Sequence, residues 1–512
     1  MPAFFRSFRG AVPGVAALGC CAIALLAACG GGGDDGPTPP APPPPPEPPT
    51  PPAPTVASVA LQRSGSWLVI GDTVRFTAVA RDAQGATVTG AATPVFAASG
   101  DAVTVTAGGD VVGVKVGTAT VTARVGTVEG TATVQVVAGS GARAAELHMV
   151  DSAMINEMRR LRIPGAQIAI ARAGRLLFAR GYGWADTTTR RPVTLDAMFR
   201  VGSTSKPLTA VATMRLVQEG KLSLDTKVFE RLTNVPSIEG RTEDPRTLQL
   251  TVRDLLAHLQ GYDSTRVVDD TSWAVVNRGI VDPVQLARYG RSARFTTNPG
   301  VRHAYNNYGY ILLGRLIERA SGQTYEQYVK SAILAPAGVT AMHLGRSPLA
   351  SRHPLEVTCY DTYPTLTGLY GTGKDCDVRP YQEYAEASGA WVASATDMAR
   401  WISVVDGVSG GPADVLTAST IATMTAQQVP GPNLNFHYAL GWQMVADGSG
   451  WQWQHSGGQT GGDGWVARRA DGTIIVIVAN LTRGQGTGGA SLDAVMMPLL
   501  RTITTWPAGV SF

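Results

Sequence analysis

Ser203 and Lys206 stand three residues apart in Phe199-Arg-Val-Gly-Ser-Thr-Ser-Lys206-Pro207, the interval that puts two side chains on one face of a helical turn. A serine hydroxyl is a poor nucleophile until a base takes its proton, and a lysine can do so only as the neutral amine. Moving a lysine pKa from ~10.4 to ~7 costs about 4.6 kcal/mol. The amine must therefore be buried or lie beside another cation.

Two further constellations carry the same type of chemistry. In His303-Ala-Tyr305-Asn306-Asn307-Tyr308, a tyrosine near a lysine can shuttle a proton, and an asparagine two residues on can bind a carbonyl. In Gln454-His455-Ser456-Gly457-Gly458, the glycines let a strand approach a substrate closely, and a backbone N–H there can complete an oxyanion hole. Each of the three alone also fits a structural role: an N-cap serine, an aromatic core anchor, a glycine-rich strand end.

The elements that must position them are legible from pattern. Met198-Phe-Arg-Val reads as extended chain, Pro207 suits a first helical turn, and Leu208, Val211, Ala212 and Leu216 form an apolar stripe, so a helix runs over 208–219. A second helix runs over 310–320, closed by Gly322. Residues 167–171 with 176–179, and 464–468 with 473–479, read as two hairpins. Strands at both ends with helices between predict one sheet built from both termini.

Upstream the chain changes character three times. Residues 1–28 have Arg6 and Arg9 before an apolar segment and end Leu26-Ala-Ala-Cys29-Gly30. This resembles a lipoprotein signal, with Cys29 as the lipidated residue and Gly30 favouring the outer membrane. Residues 29–55 are Gly- and then Pro-rich, an extended linker. Residues 56–138 alternate in short stretches such as Val74-Arg-Phe76-Thr-Ala78 and Ala119-Thr-Val121-Thr-Ala123, a small all-β sandwich. That segment resembles a bacterial immunoglobulin-like domain of group 2 and is read as a spacer or adhesion module.

With all three constellations in this order, residues 143–508 resemble the serine beta-lactamase-like, penicillin-binding-protein-like hydrolases. That family includes class C beta-lactamases, D-alanyl-D-alanine carboxypeptidases, D-aminopeptidases and related esterases. Leu255-Leu-Ala-His258-Leu-Gln-Gly261 and Gly389-Ala-Trp-Val-Ala-Ser394 resemble further recurring segments. The resemblance implies an α/β (α+β) domain, an antiparallel sheet flanked by helices plus a helical region. It implies Ser203 as acylated nucleophile, Lys206 as its base and Tyr305 as proton relay. Asn307 would hold the substrate carbonyl, and His455 would orient the leaving group or bind a carboxylate. Gly457 and Gly458 would line the substrate edge, with the Ser203 and Gly458 N–H groups as oxyanion hole. Histidine replaces the usual lysine of the third element, which weakens the case for beta-lactams relative to peptides or esters. Leu259-Gln260 replaces the usual Thr-Ser pair, and His258 is given no role.

Composition closes off other classes. A net charge of +4 argues against nucleic acid. Histidines and cysteines show no zinc spacing, so no metal and no cofactor are expected. Cys359 and Cys376 read either as a disulfide or as two buried thiols. Gly407-Val-Ser409-Gly-Gly411 fits a nucleophile elbow, but Pro412 follows at once; Gly368–Lys374 approaches a phosphate loop, but Asp375 stands where Ser or Thr is needed. The expectation is an envelope hydrolase acting on a small-molecule or peptide substrate, which peptidoglycan could supply. The rival is an inert binding or adhesion lipoprotein.

Overall fold

The structure, a computed structural model, describes residues 55–63, 67–238, 240, 242–262, 282–361, 381–428, 435–482 and 492–512. The leader, Cys29, nearly all of the linker, Cys376 and the 368–374 stretch lie outside the described residues.

One antiparallel sheet organises the C-terminal two-thirds. Its strands run in the order Gly139–Ser140, Arg175–Asp186, Gly165–Arg172, Ile474–Ala479, Gly462–Arg468, Trp451–Gln459, Gln443–Ala446 and Phe436–Tyr438. The two expected hairpins are joined at the centre, where Ala166 pairs with Ala479 and Ala171 with Ile474. Successive side chains leave a strand on opposite faces. Ile168, Ile170, Ile475 and Ile477 therefore pack with helices His148–Leu161 and Leu492–Thr502. Ala169, Ala171, Val476 and Val478 pack with the helical region. Burial on both faces explains why these strands read as unbroken apolar runs.

The helix expected over 208–219 spans Ser205–Gln218, preceded by a 3-10 turn at Gly202–Thr204. It is buried on all sides from Ser205 to Met214, so the predicted stripe understates it. It packs against helix Tyr308–Ser321 and the segment around Ala387, and the 3-10 turn before it meets strands Trp451–Gln459 and Gly462–Arg468. Its polar residues are satisfied inside: the Thr209 hydroxyl donates to the Ala387 carbonyl at 2.6 Å, and Thr213 donates to the Thr209 carbonyl at 2.9 Å. The 310–320 helix spans Tyr308–Ser321 and ends at Gly322 with φ 73°. Gly407–Gly411 lies in turns with no strand before it.

Residues 58–137 form short strands in two-, four- and three-stranded sheets around Val74, Phe76, Val111, Val121 and Val134. This region packs against the rest of the chain, Pro54–Phe512 forming one compact unit. Gly139–Ser140 adds to the large sheet against Gly181–Tyr182. Val69 sits in the apolar cluster of Leu147, Val150 and Met154, and the Arg159 guanidinium lies 4.8 Å from the Trp67 ring centroid. At the seam Arg180, wholly buried, pairs with Asp72 at 2.8 Å and Asp151 at 3.5 Å. Tyr182 donates to the same Asp151 at 2.7 Å.

Candidate active site

Ser203 sits in the 3-10 turn that feeds the buried helix, partly exposed while both neighbours are buried. Gly202 before it has φ 56°, and a Cβ there would stand 2.9 Å from the Gly458 nitrogen. A Cβ on Gly457 would stand 2.8 Å from the Ser203 nitrogen and 2.2 Å from the Val201 carbonyl oxygen. The nucleophile turn and the strand Trp451–Gln459 thus approach so closely that glycine is required on both sides. That approach brings the Ser203 and Gly458 amides together, while Gly458 has nothing within 4 Å of its Cβ position.

Lys206 is fully buried. Its Nζ lies 3.0 Å from Ser203 Oγ, 2.7 Å from Asn307 Oδ1 and 2.7 Å from the Ser388 carbonyl oxygen. Among the described residues no carboxylate pairs with it, and burial holds its pKa well below the usual lysine range. The Tyr305 and Tyr310 rings, 4.9 and 5.5 Å away by centroid, offer a cation about 1–2 kcal/mol. Desolvation costs several kcal/mol per ion, so the site favours the neutral amine over the cation. Its protons then have a forced arrangement. Asn307 Oδ1 and the Ser388 carbonyl can only accept, and each takes one N–H. In the neutral amine the remaining lone pair faces Ser203 Oγ, 3.0 Å away, and can accept its hydroxyl proton. That is the geometry of a general base holding its nucleophile.

Tyr305 is 37% exposed, and His303, two residues before it in the same loop, is exposed as well. Asn307 precedes helix Tyr308–Ser321. With its oxygen on Lys206, its Nδ2 has no partner among the described residues and can donate to a substrate carbonyl. Behind this loop lies His258, fully buried, in the left-handed conformation at φ 56°. That conformation is uncommon in a non-glycine residue and strains it by about 1–3 kcal/mol. Its ring centroid is 4.3 Å from that of Tyr305.

His455 departs from the role expected of it. The ring is 1% exposed, because alternation along the strand turns His455 and Gly457 inward and exposes Ser456 and Gly458. Its Nδ1 lies 2.7 Å from the Ser456 carbonyl, which can only accept, so Nδ1 carries the proton. Nε2 then accepts from the Tyr438 hydroxyl at 3.0 Å. Burial pushes its pKa below the usual imidazole range. The imidazole is neutral and both nitrogens are engaged, so it offers a carboxylate neither a charge nor a free donor.

Ser203, Lys206, Tyr305, Asn307, Gly457 and Gly458 are therefore brought together, with His455 beneath them. Sequence reasoning did not single out the Ser388 carbonyl, Tyr438, Tyr310 or Ser456. A backbone acceptor has no side-chain signature, whereas Ser456 was recoverable from period-two alternation. Cys359 is disulfide-bonded; Cys376, its expected partner, lies outside the described residues. Among the described residues no group of three His, Cys, Asp or Glu is placed to hold a metal.

Comparison with known proteins shows a family and a fold. The beta-lactamase family profile matches residues 150–495. A penicillin-binding protein of Bacillus subtilis (strain 168) is 33% identical over 176 residues, 34% of this chain and 36% of its own length. Esterase EstB of Burkholderia gladioli is 27% identical over 374 residues, 66% of this chain and 91% of its own. The chain spans well under half the length of the first curated relatives, 36% and 39%. An octameric penicillin-binding protein homologue from Pyrococcus abyssi superposes with TM-score 0.56 at 24% identity, over 69% of this chain and 77% of that one. D-amino acid amidase from Ochrobactrum anthropi does so with TM-score 0.54 at 21% identity, over 70% and 97%. These two likenesses establish the fold.

Proposed function

We propose that this chain, which belongs to the beta-lactamase family, hydrolyses an ester, an amide or a D-amino-acid peptide through an acyl-Ser203 intermediate. The observation that carries the reading is Lys206, buried with no carboxylate paired to it among the described residues and held by two acceptors so that its lone pair meets Ser203. Lys206 takes the Ser203 proton as Oγ attacks the carbonyl carbon. The developing oxyanion is held by the Ser203 and Gly458 N–H groups. Collapse breaks the bond to the leaving alcohol or amine, which receives its proton through Tyr305. Water then adds to the acyl-enzyme, giving its proton back to the same pair, and the acid product leaves Ser203 free.

The neutral, fully engaged His455 favours substrates without a carboxylate beside the leaving group, an ester or an amide ahead of a beta-lactam. No cofactor enters the scheme. For placement, the signal-like residues 1–28, Cys29 and the linker support a lipid-anchored protein at the outer membrane, facing periplasm or surface, with peptidoglycan-derived peptides among the substrates within reach.

Labelling with a fluorophosphonate separates this from an inert binding protein. Wild type is expected to label and Ser203→Ala not to; no labelling of wild type at Ser203 would sink the enzyme reading. Comparing turnover of p-nitrophenyl butyrate, nitrocefin and a D-Ala-D-Ala peptide then ranks the substrate classes, with the ester expected fastest.

A further inference from the structure

The segment Leu255–Gly261 has no part in the scheme above, yet one of its residues combines three unusual features. His258 is wholly buried, holds a positive φ of 56°, and has a ring nitrogen, Nε2, with no hydrogen-bond partner among the described residues. Closing the turn does not call for an imidazole, since glycine or asparagine adopts that conformation with less strain. A buried donor left unpaired asks for a reason.

The surroundings supply one. His258 Nδ1 accepts the Asn306 N–H at 3.3 Å, which places the ring proton on Nε2. The His258 carbonyl accepts the Ala304 N–H at 2.8 Å. Two residues on, Gln260 Oε1 accepts from Asn306 Nδ2 at 3.0 Å. The loop bearing Tyr305 and Asn307 is thus held from behind on both sides of Tyr305. The imidazole also lies against the Tyr305 ring, 4.3 Å between centroids with the planes 41° apart.

We propose that His258 is a positioning residue for Tyr305: its Nδ1 fixes the backbone just after the tyrosine, and its ring backs the phenol so that the hydroxyl stays aimed at the reacting atoms. Gln260 braces the same loop through Asn306. An imidazole serves because it presents a flat face and an acceptor at once. Asparagine offers the acceptor without the face, and phenylalanine the face without the acceptor.

This inference rests on the reading of Tyr305 as the proton carrier, and the test separates the two. Acylation by ethyl butyrate, whose leaving alkoxide needs a proton as p-nitrophenolate does not, is followed by ethanol release in a single turnover, with rates expressed per fluorophosphonate-titrated site so that misfolded protein does not count. His258→Asn, which tolerates the turn, is made alone and together with Tyr305→Phe. Alone it is expected to slow acylation about tenfold with KM changed less than about twofold, since misplacing a reacting group costs up to ~100-fold. In the Tyr305→Phe background it is expected to cost nothing further, because the hydroxyl it serves is gone. An equal slowing in both backgrounds, or none in either, would overturn the positioning role. If Tyr305→Phe by itself left the rate unchanged, the proton-carrier reading would fall instead. Should His258→Asn not fold, Gln260→Ala enters the same cycle with the same expectations.

Discussion

Two buried basic side chains, Lys206 at the candidate active site and Arg180 at the seam with the N-terminal module, are both 0% exposed yet meet opposite fates. Around Arg180 the chain places Asp72 and Asp151. Burial opposes its charge, but Asp151 and the hydrogen bond to Asp72 outweigh it, and the pKa is raised. Around Lys206 it places an amide oxygen, a carbonyl and a hydroxyl, and burial drives the pKa down. Burial with counter-charges makes a brace; burial with neutral acceptors makes a base. The difference lies in the partners rather than in the depth.

Exchanging either cation for methionine should break the two regions in different ways. The largest effect is expected at Lys206→Met. Hydrolysis per folded molecule should fall about 1,000-fold or more, while thermal unfolding shows only the loss from two neutral acceptors left without their donor, because no buried charge is orphaned. Arg180→Met should do the reverse. It leaves Asp72 and Asp151 buried without their cation, a loss of about 3–5 kcal/mol in denaturant unfolding, with the rate per titrated site unchanged. If Arg180→Met slowed the chemistry of folded molecules, the division between brace and base would be wrong.

The same contrast explains what could be read beforehand. Ser203 and Lys206 were legible because three residues of helix suffice to join them. The two-ended sheet was legible from its apolar runs. Asn307 and Ser388 reach Lys206 across 101 and 182 residues, and a backbone carbonyl leaves no mark in a sequence. Asp72 and Arg180 are 108 residues apart and lie in segments of different character, so the module looked like a spacer. His455 was assigned by motif, without asking which face of its strand it would occupy.

A smaller, linked effect concerns pH. Unfolded, Lys206 binds a proton up to its ordinary pKa of 10.5; folded, it releases that proton at lower pH. Between those values the unfolded chain binds more protons, so stability rises with pH across that window. Wild type should gain denaturant stability towards pH 10 relative to Lys206→Met; parallel curves would contradict a depressed pKa.

The smallest test takes the rule from the acidic side. Asp406 is 2% exposed, its Oδ2 has no partner among the described residues, and burial raises its pKa to about 7. Its folded pKa exceeds the unfolded 3.8, so its contribution is fully present below pH 3.8 and is lost as pH rises through about 7. Asp406→Asn should therefore raise the melting temperature relative to wild type more at pH 8 than at pH 4. An equal change at both values would show that Asp406 keeps its charge.

The account turns on the neutral state of Lys206, and titrating that amine is its most direct test. Protein carrying lysine labelled with carbon-13 at Cε, with the resonance assigned through Lys206→Met, is followed by NMR as pH is raised. The account predicts a Lys206 signal that titrates well below 10.5, moving together with the acid limb of Ser203 acylation. A Lys206 signal that stays in its charged position up to pH 10.5, while Ser203 still acylates at neutral pH, would contradict it.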